Sequence, residues 1–158
     1  MKNIIQNVVI SGSHEIGLFV RGGEIMPSMP LKENQQTTAA QQQNNFDILI
    51  ALDHTGSAKG SLYWDDGADI DPLLTGNYET FEFQFLNDEK FTVVRSHAAA
   101  NGIFNDKSIE YLTIYSQRNY KGIVCDGNQI NIADNRAQVS WLIGNFVENE
   151  TIECTMLS

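Results

Sequence analysis

The sequence predicts an all-β protein built as an antiparallel β-sandwich. Three observations predict it. Nearly every ordered stretch alternates apolar and polar residues with period two, as strands with one buried face do. No window carries a sustained apolar repeat of helical period. The alternating runs are short and closely spaced, with Gly, Asn and Asp between them, the pattern of an antiparallel sandwich. A closed barrel is the structural alternative.

Taken in chain order, MKNIIQNVVISGSHE reads as a strand. Gln6 and Asn7 interrupt its apolar stretch and no convincing small-residue cleavage site follows, so it is not read as a signal peptide. Ile16–Val20 is a further β-rich run, and the glycine pair in Arg21-Gly22-Gly23-Glu24 suits a bulge or a close backbone approach. Residues 31–45 include KENQQTTAAQQQNN, which is polar, nearly uncharged and expected to bury nothing. That composition predicts a linker or long surface loop. It separates residues 1–30, with too few strands for a core of their own, from a complete-looking unit at 46–158. The first part either adds to the main sandwich or is the tail of a neighbouring domain.

Within 46–158, Asp47–Leu52 and Lys59–Trp64 are strands joined by a turn over Gly56-Ser57-Ala58-Lys59-Gly60, which lacks the spacing of a phosphate loop. Tyr78–Phe85 places Tyr78, Thr80, Glu82 and Gln84 on one face and three Phe on the other. Asn87-Asp88 turns it into Lys90–Arg95, a hairpin. Strands are expected at Ile109–Tyr115, Tyr120–Cys125, Gln129–Ile132, Gln138–Ile143 and Thr151–Leu157, with a tight turn at Asp126-Gly127.

Charge limits the partners. Of 158 residues, 20 are acidic and 10 basic, and no two cations are adjacent. Nucleic-acid affinity comes largely from clustered Lys and Arg neutralising phosphates, so neither nucleic acid nor an anionic lipid surface is expected. The longest clean apolar run is Ile48–Leu52, against about 20 residues for a spanning helix, so no membrane insertion is expected.

The densest polar constellation is Trp64-Asp65-Asp66-Gly67-Ala68-Asp69-Ile70-Asp71. Its glycine falls too early for an EF-hand, and Gly76 stands where that loop needs a Glu. Adjacent Asp65 and Asp66 at a strand end diverge, whereas a glycosidase pair must face across about 5–9 Å. The favoured reading is a turn, with Asp side chains accepting backbone N–H groups and Gly67 supplying a positive φ. His14, His54 and His97 lie far apart without metal-ligand spacing, and no G-x-S-x-G elbow occurs. Cys125 and Cys154 are too few for a disulfide scaffold or a four-Cys zinc site; buried thiols are favoured over a bridge. Asn149-Glu150-Thr151 matches a glycosylation acceptor. Trp64, Trp141 and the tyrosines suit a sugar-stacking platform, although core packing is the favoured role. No cofactor, metal or catalytic residue is expected.

Two ordered motifs resemble those of glycoside hydrolase family 31. Phe19-Val20-Arg21-Gly22-Gly23-Glu24-Ile25-Met26-Pro27 is similar to the (F/L)-x-R-x-G-x-I-x-P segment that follows that family's catalytic barrel. Asp47–Asp53, with Leu52, and then Ala58-Lys59-Gly60-Ser61-Leu62-Tyr63-Trp64-Asp65-Asp66-Gly67 resemble its L-x-x-A-L … A-x-G-x-L-(F/Y)-x-D-D-G signature. Trp before Asp-Asp-Gly is closest to the lysosomal α-glucosidase and maltase–sucrase branch. Order and spacing agree over about residues 16–86; Tyr111–Tyr115 and Asp126-Gly127-Asn128 match more loosely. Where the family commonly carries an Arg and then a Pro, this chain has Gln42 and Asn45.

The resemblance implies the C-terminal β-sandwich region of an α-glucosidase-like hydrolase. Residues 1–30 would be the tail of the proximal sandwich, 31–45 the linker and 46–158 the distal sandwich. The family's nucleophile and acid/base are aspartates of a (β/α)₈ barrel with no counterpart in this chain, so no catalytic role transfers to Asp65 or Asp66. The barrel is the expected partner. The parent enzyme is expected to hydrolyse terminal α-glucosidic bonds, and the family's lysosomal or extracellular members suggest the secretory pathway. The competing expectation is a carbohydrate-binding module that holds α-glucan on exposed aromatics.

Overall fold

The computed structural model describes residues 19–65, 67–99, 106–142, 145–146, 148 and 150–158. The strand expected in MKNIIQNVVISGSHE, most of Ile16–Val20, Asp66 and Asn149 lie outside these residues. The elements, in chain order, are β1 (Glu24–Ser28), α1 (Thr38–Gln41), β2 (Phe46–Ala51), β3 (Ala58–Asp65), α2 (Pro72–Thr75), β4 (Tyr78–Leu86), β5 (Lys90–His97), β6 (Ser108–Tyr115), β7 (Gly122–Cys125), β8 (Asn128–Asn131), β9 (Arg136–Leu142) and β10 (Thr151–Leu157). The strands expected from Asp47 onward are all present, with ends displaced by a residue or two.

The fold is therefore all-β, but its architecture differs from an antiparallel two-layer stack. The strands form one sheet in the order β8-β7-β10-β5-β4-β3-β1-β2-β6-β9. Its two outermost strands, β8 and β9, are consecutive in the chain. Asp134 and Asn135 turn between them with φ of 49° and 63°, and Ala133 and Arg136 exchange backbone hydrogen bonds of 3.0 and 2.8 Å. Positive φ at both turn residues matches the twist of a tight hairpin. The sheet thus curls until its ends meet at this turn, nearly closed and barrel-like.

The sheet is also mixed. β1 pairs antiparallel with β2 from Glu24↔Ala51 to Ser28↔Asp47 and parallel with β3 at Glu24↔Lys59. Since β2 and β3 run in opposite directions, a strand between them must be parallel to one of them. β2 and β6 form the second parallel pair. Pro27 lies within β1, beyond the single β3 pairing, where one edge of the strand has no ladder to supply.

The core follows the alternation. Phe81, Phe83 and Phe85 of β4, Phe91 and Val93 of β5, and Phe46, Ile48 and Ile50 of β2 are buried together with Ile109, Leu112 and Ile114 of β6. The stretch at 31–45 is more structured than its polarity suggests. Thr37 caps α1 by accepting from the Ala40 N–H at 3.2 Å. Asn44 is buried because its amide donates to the Pro30 carbonyl at 2.8 Å and exchanges hydrogen bonds with the Gln35 carboxamide. A polar side chain is buried without large cost when every hydrogen bond is replaced.

Candidate functional site

The motif residues in residues 21–60 converge where β1 enters between β2 and β3. Gly23 donates its N–H to Ala51 at 2.7 Å, and its carbonyl accepts from Lys59 at 3.1 Å; its φ of 97° explains the glycine. A Cβ on Gly60 would overlap the Ile25 carbonyl oxygen, so β3 reaches β1 only because position 60 has no side chain. A Cβ on Gly22 would lie 3.1 Å from the Leu52 carbonyl oxygen. Leu52 donates to Tyr115 at 2.9 Å, tying the end of β2 to β6. Pro27 is paired with Ile48, and Arg21 is exposed. Gly22 and Gly60 serve close backbone approach and Gly23 a positive φ; among the described residues, no three His, Cys, Asp or Glu side chains gather beside them.

Trp64 is partly buried against the core, its ring edge-to-face with Phe46 at 5.2 Å. Trp141 stacks on Phe91 at 6.4 Å and meets Phe146 at 6.3 Å. Both indoles thus serve packing first. A second aromatic array lies elsewhere: exposed Tyr63 stacks on half-buried Tyr78 at 5.4 Å, and Tyr78 on half-buried His97 at 4.0 Å. The Tyr63 hydroxyl is held above the ordinary phenol range by partial desolvation and then by the Asp65 carboxylate.

The acidic stretch is a run of turns. Asp65 accepts from the Gly67 N–H at 2.8 Å, and Gly67 has φ 66°. Asp71 caps α2 by accepting from Leu74 at 3.1 Å. Asp69 accepts from the Thr75 hydroxyl at 2.6 Å. Asp66 is outside the described residues. Among the described residues, no three His, Cys, Asp or Glu side chains gather as a cation site requires. His54 and His97 sit on different turns and strands, and His14 is not among the described residues. Asp53 closes the turn after β2, accepting from Thr55 and Ser57; these bonds, the Thr55 hydroxyl foremost, hold its carboxyl below the usual range.

Two arrangements escaped sequence reasoning. Glu79 and Arg95 form a buried ion pair, with Nε–Oε2 at 2.7 Å and Nη2–Oε1 at 2.6 Å. Glu79 also accepts from the Ala99 N–H at 3.1 Å, and Arg95 donates to the Phe146 carbonyl at 2.9 Å. The fork is bidentate, the geometry that best offsets burying two charges. Its sequence signal was parity: Glu79 shares a face with Phe81, Phe83 and Phe85, and Arg95 with Phe91 and Val93. The second is the bridge between Cys125 and Cys154, which the sequence alone leaves open and ranks below buried thiols. They are directly opposed on neighbouring strands β7 and β10, with Cα atoms 4.3 Å apart, and are joined as a disulfide.

Comparison with known proteins places this geometry. No protein-family profile matches the chain. Human intestinal sucrase-isomaltase is 35% identical over 85 residues, covering 54% of this chain and 4% of that protein. Human probable maltase-glucoamylase 2 is 39% identical over 82 residues, covering 52% of this chain and 3% of that protein. An alpha-glucosidase of Schizosaccharomyces pombe is 40% identical over 67 residues, 42% of this chain and 7% of the relative. The chain therefore spans only a small fraction of the relatives it matches. Among solved structures, the glucosidase II alpha subunit in its DNJ-bound form superposes with a TM-score of 0.60 over 87% of this chain and 17% of that one, at 16% identity, a likeness of fold. Over about half its length, this chain is homologous to members of glycoside hydrolase family 31.

Proposed function

We propose that the chain is the non-catalytic C-terminal β-region of an α-glucosidase-like glycoside hydrolase and braces a catalytic barrel that it does not itself contain. The observation that carries this reading is the use made of the family-motif residues. Gly22 and Gly60 permit close backbone approach, Gly23 supplies a positive φ, and Asp65 makes a turn. Among the described residues, no three His, Cys, Asp or Glu side chains gather beside them. The small share of each relative that the chain covers supports a domain of something larger.

In this reading the tail 1–30 comes from a proximal β-domain and hands one strand, β1, to the distal unit formed by 46–158. That unit is the family's distal sandwich in a nearly closed form. The face offered to the barrel is the apolar rim at α2, where Ile70, Leu73 and Leu74 are exposed; adjoining exposed apolar residues mark interaction surfaces. The parent would hydrolyse terminal α-glucosidic bonds with retention through a glucosyl-aspartate on the barrel. The Cys125–Cys154 bond supports folding in an oxidising compartment, the secretory pathway or the cell exterior. The test is turnover. The purified chain is expected to release no aryl group from an aryl α-glucoside, and turnover lost on Asp65→Asn would overturn the proposal.

A further inference from the structure

One mouth of the barrel-like sheet holds a cavity of about 370 Å³ between α1, the end of β1 and β3. Its lining includes Trp64, Phe46, Leu62 and Met29, with Thr38 and Gln42 of the α1 segment. The volume lies in the range of small-molecule sites, about 300–1,000 Å³, which favour the mouths of β-barrels.

The lining is selective in its chemistry. The protein carries a formal net charge of −10, yet no charged residue among those described lines this cavity. The larger depression on the sheet, about 480 Å³, is bordered by Glu24, Lys59 and Glu82. A charge-free site has nothing to neutralise an ionic ligand. It pairs a partly exposed indole with carboxamides and a hydroxyl, the groups that match a neutral ring having apolar C–H faces and a hydroxyl rim. The indole is already oriented by its edge-to-face contact with Phe46. Gln41 spends its amide N–H on the Met29 carbonyl at 2.9 Å, which holds α1 over the cavity and leaves its oxygen to accept. Gln42 makes no side-chain hydrogen bond among the described residues and stands beside the Asp65–Gly67 turn.

From this lining we infer that the mouth cavity binds a neutral pyranose sugar, with Trp64 under the ring and the Gln41, Gln42 and Thr38 side chains bonding its hydroxyls. Tyr63 borders the same cavity, but its ring stacks on Tyr78, so the Tyr63–Tyr78–His97 array is not the sugar platform. Binding here is a property of the chain alone and does not depend on a barrel.

The experiment is a titration of the full 158-residue chain with maltotriose and, separately, cellotriose, followed by the two tryptophan indole N–H resonances. The Trp64 resonance is expected to move saturably with at least one of the trimers while that of Trp141 stays in place. Gln42→Ala and Thr38→Ala should each weaken binding about five-fold without altering the melting temperature, and Tyr115→Ala, at an exposed residue outside the cavity, should leave it unchanged. A Trp64 resonance unmoved by both trimers would overturn the assignment. So would binding undiminished by both Gln42→Ala and Thr38→Ala.

Discussion

Replacing Arg95 with Met is expected to lower stability by about 3–5 kcal/mol, the penalty for leaving one member of a buried ion pair uncompensated. Glu79, with 1% of its surface exposed, would lose both guanidinium donors and keep the Ala99 N–H. The Phe146 carbonyl would lose the Arg95 donor. For a chain of this size the melting temperature should fall by roughly 10 °C or more. Should the single variant fail to accumulate, the double variant Glu79→Leu with Arg95→Met separates the explanations. Replacing both charges with apolar groups is often neutral or stabilising, so the double variant should recover most of the loss. A denaturant midpoint for Arg95→Met within error of the unaltered chain would remove this pair from the account.

Joint substitution of Cys125 and Cys154 by Ala should cost a comparable amount. The bond closes a loop with a sequence separation of 29, for which the chain-entropy relation gives about 3–4 kcal/mol. It fastens β10 to β7 near the C-terminus, while β10 is held on its other edge by β5. Loss of the bond should therefore free the β7–β8 hairpin and β10 before the β3–β4–β5 region. Hydrogen exchange can read that order: faster exchange confined to Gly122–Asn131 and Thr151–Leu157 is expected. Uniform acceleration, or an unchanged melting temperature, would contradict it.

These two features show where the sequence was readable and where it was not. The Phe81, Phe83 and Phe85 face was legible because one apolar side chain on every second residue admits a single orientation in a strand. The turns at Asn87-Asp88 and Asp126-Gly127 were legible because their residues tolerate positive φ, and all four adopt it. The same alternation places Glu79 and Arg95 on the buried face, but a charge there reads as an exception until its partner is known. Their pairing depends on the register of β4 against β5, which shifts between Thr80 and Phe81. The disulfide was hidden for a similar reason, since two isolated cysteines say nothing until β10 is seen to lie between β5 and β7.

β1 was the principal strand missed. Five residues containing a proline make a poor strand pattern, and the insertion of β1 between β2 and β3 is a long-range event. That insertion adds one parallel pair, β1–β3, to the parallel β2–β6 pair. The motif glycines were visible as places where backbone comes close, yet the partner strands were not. Within the candidate site, the acidic turn was readable from Asx-turn chemistry alone. The mouth cavity was not, because Trp64 meets Gln42 only after α1 folds over β3.

Complementation tests the bracing role most directly. The Schizosaccharomyces pombe alpha-glucosidase would be produced without the stretch that this chain matches, and then with this chain in its place. The truncated enzyme is expected to be inactive, and the chimera to recover hydrolysis of an α-glucoside, with Leu73→Asp and Leu74→Asp together abolishing the recovery. Full activity in the truncated enzyme, or a chimera no more active than the truncation, would contradict the account.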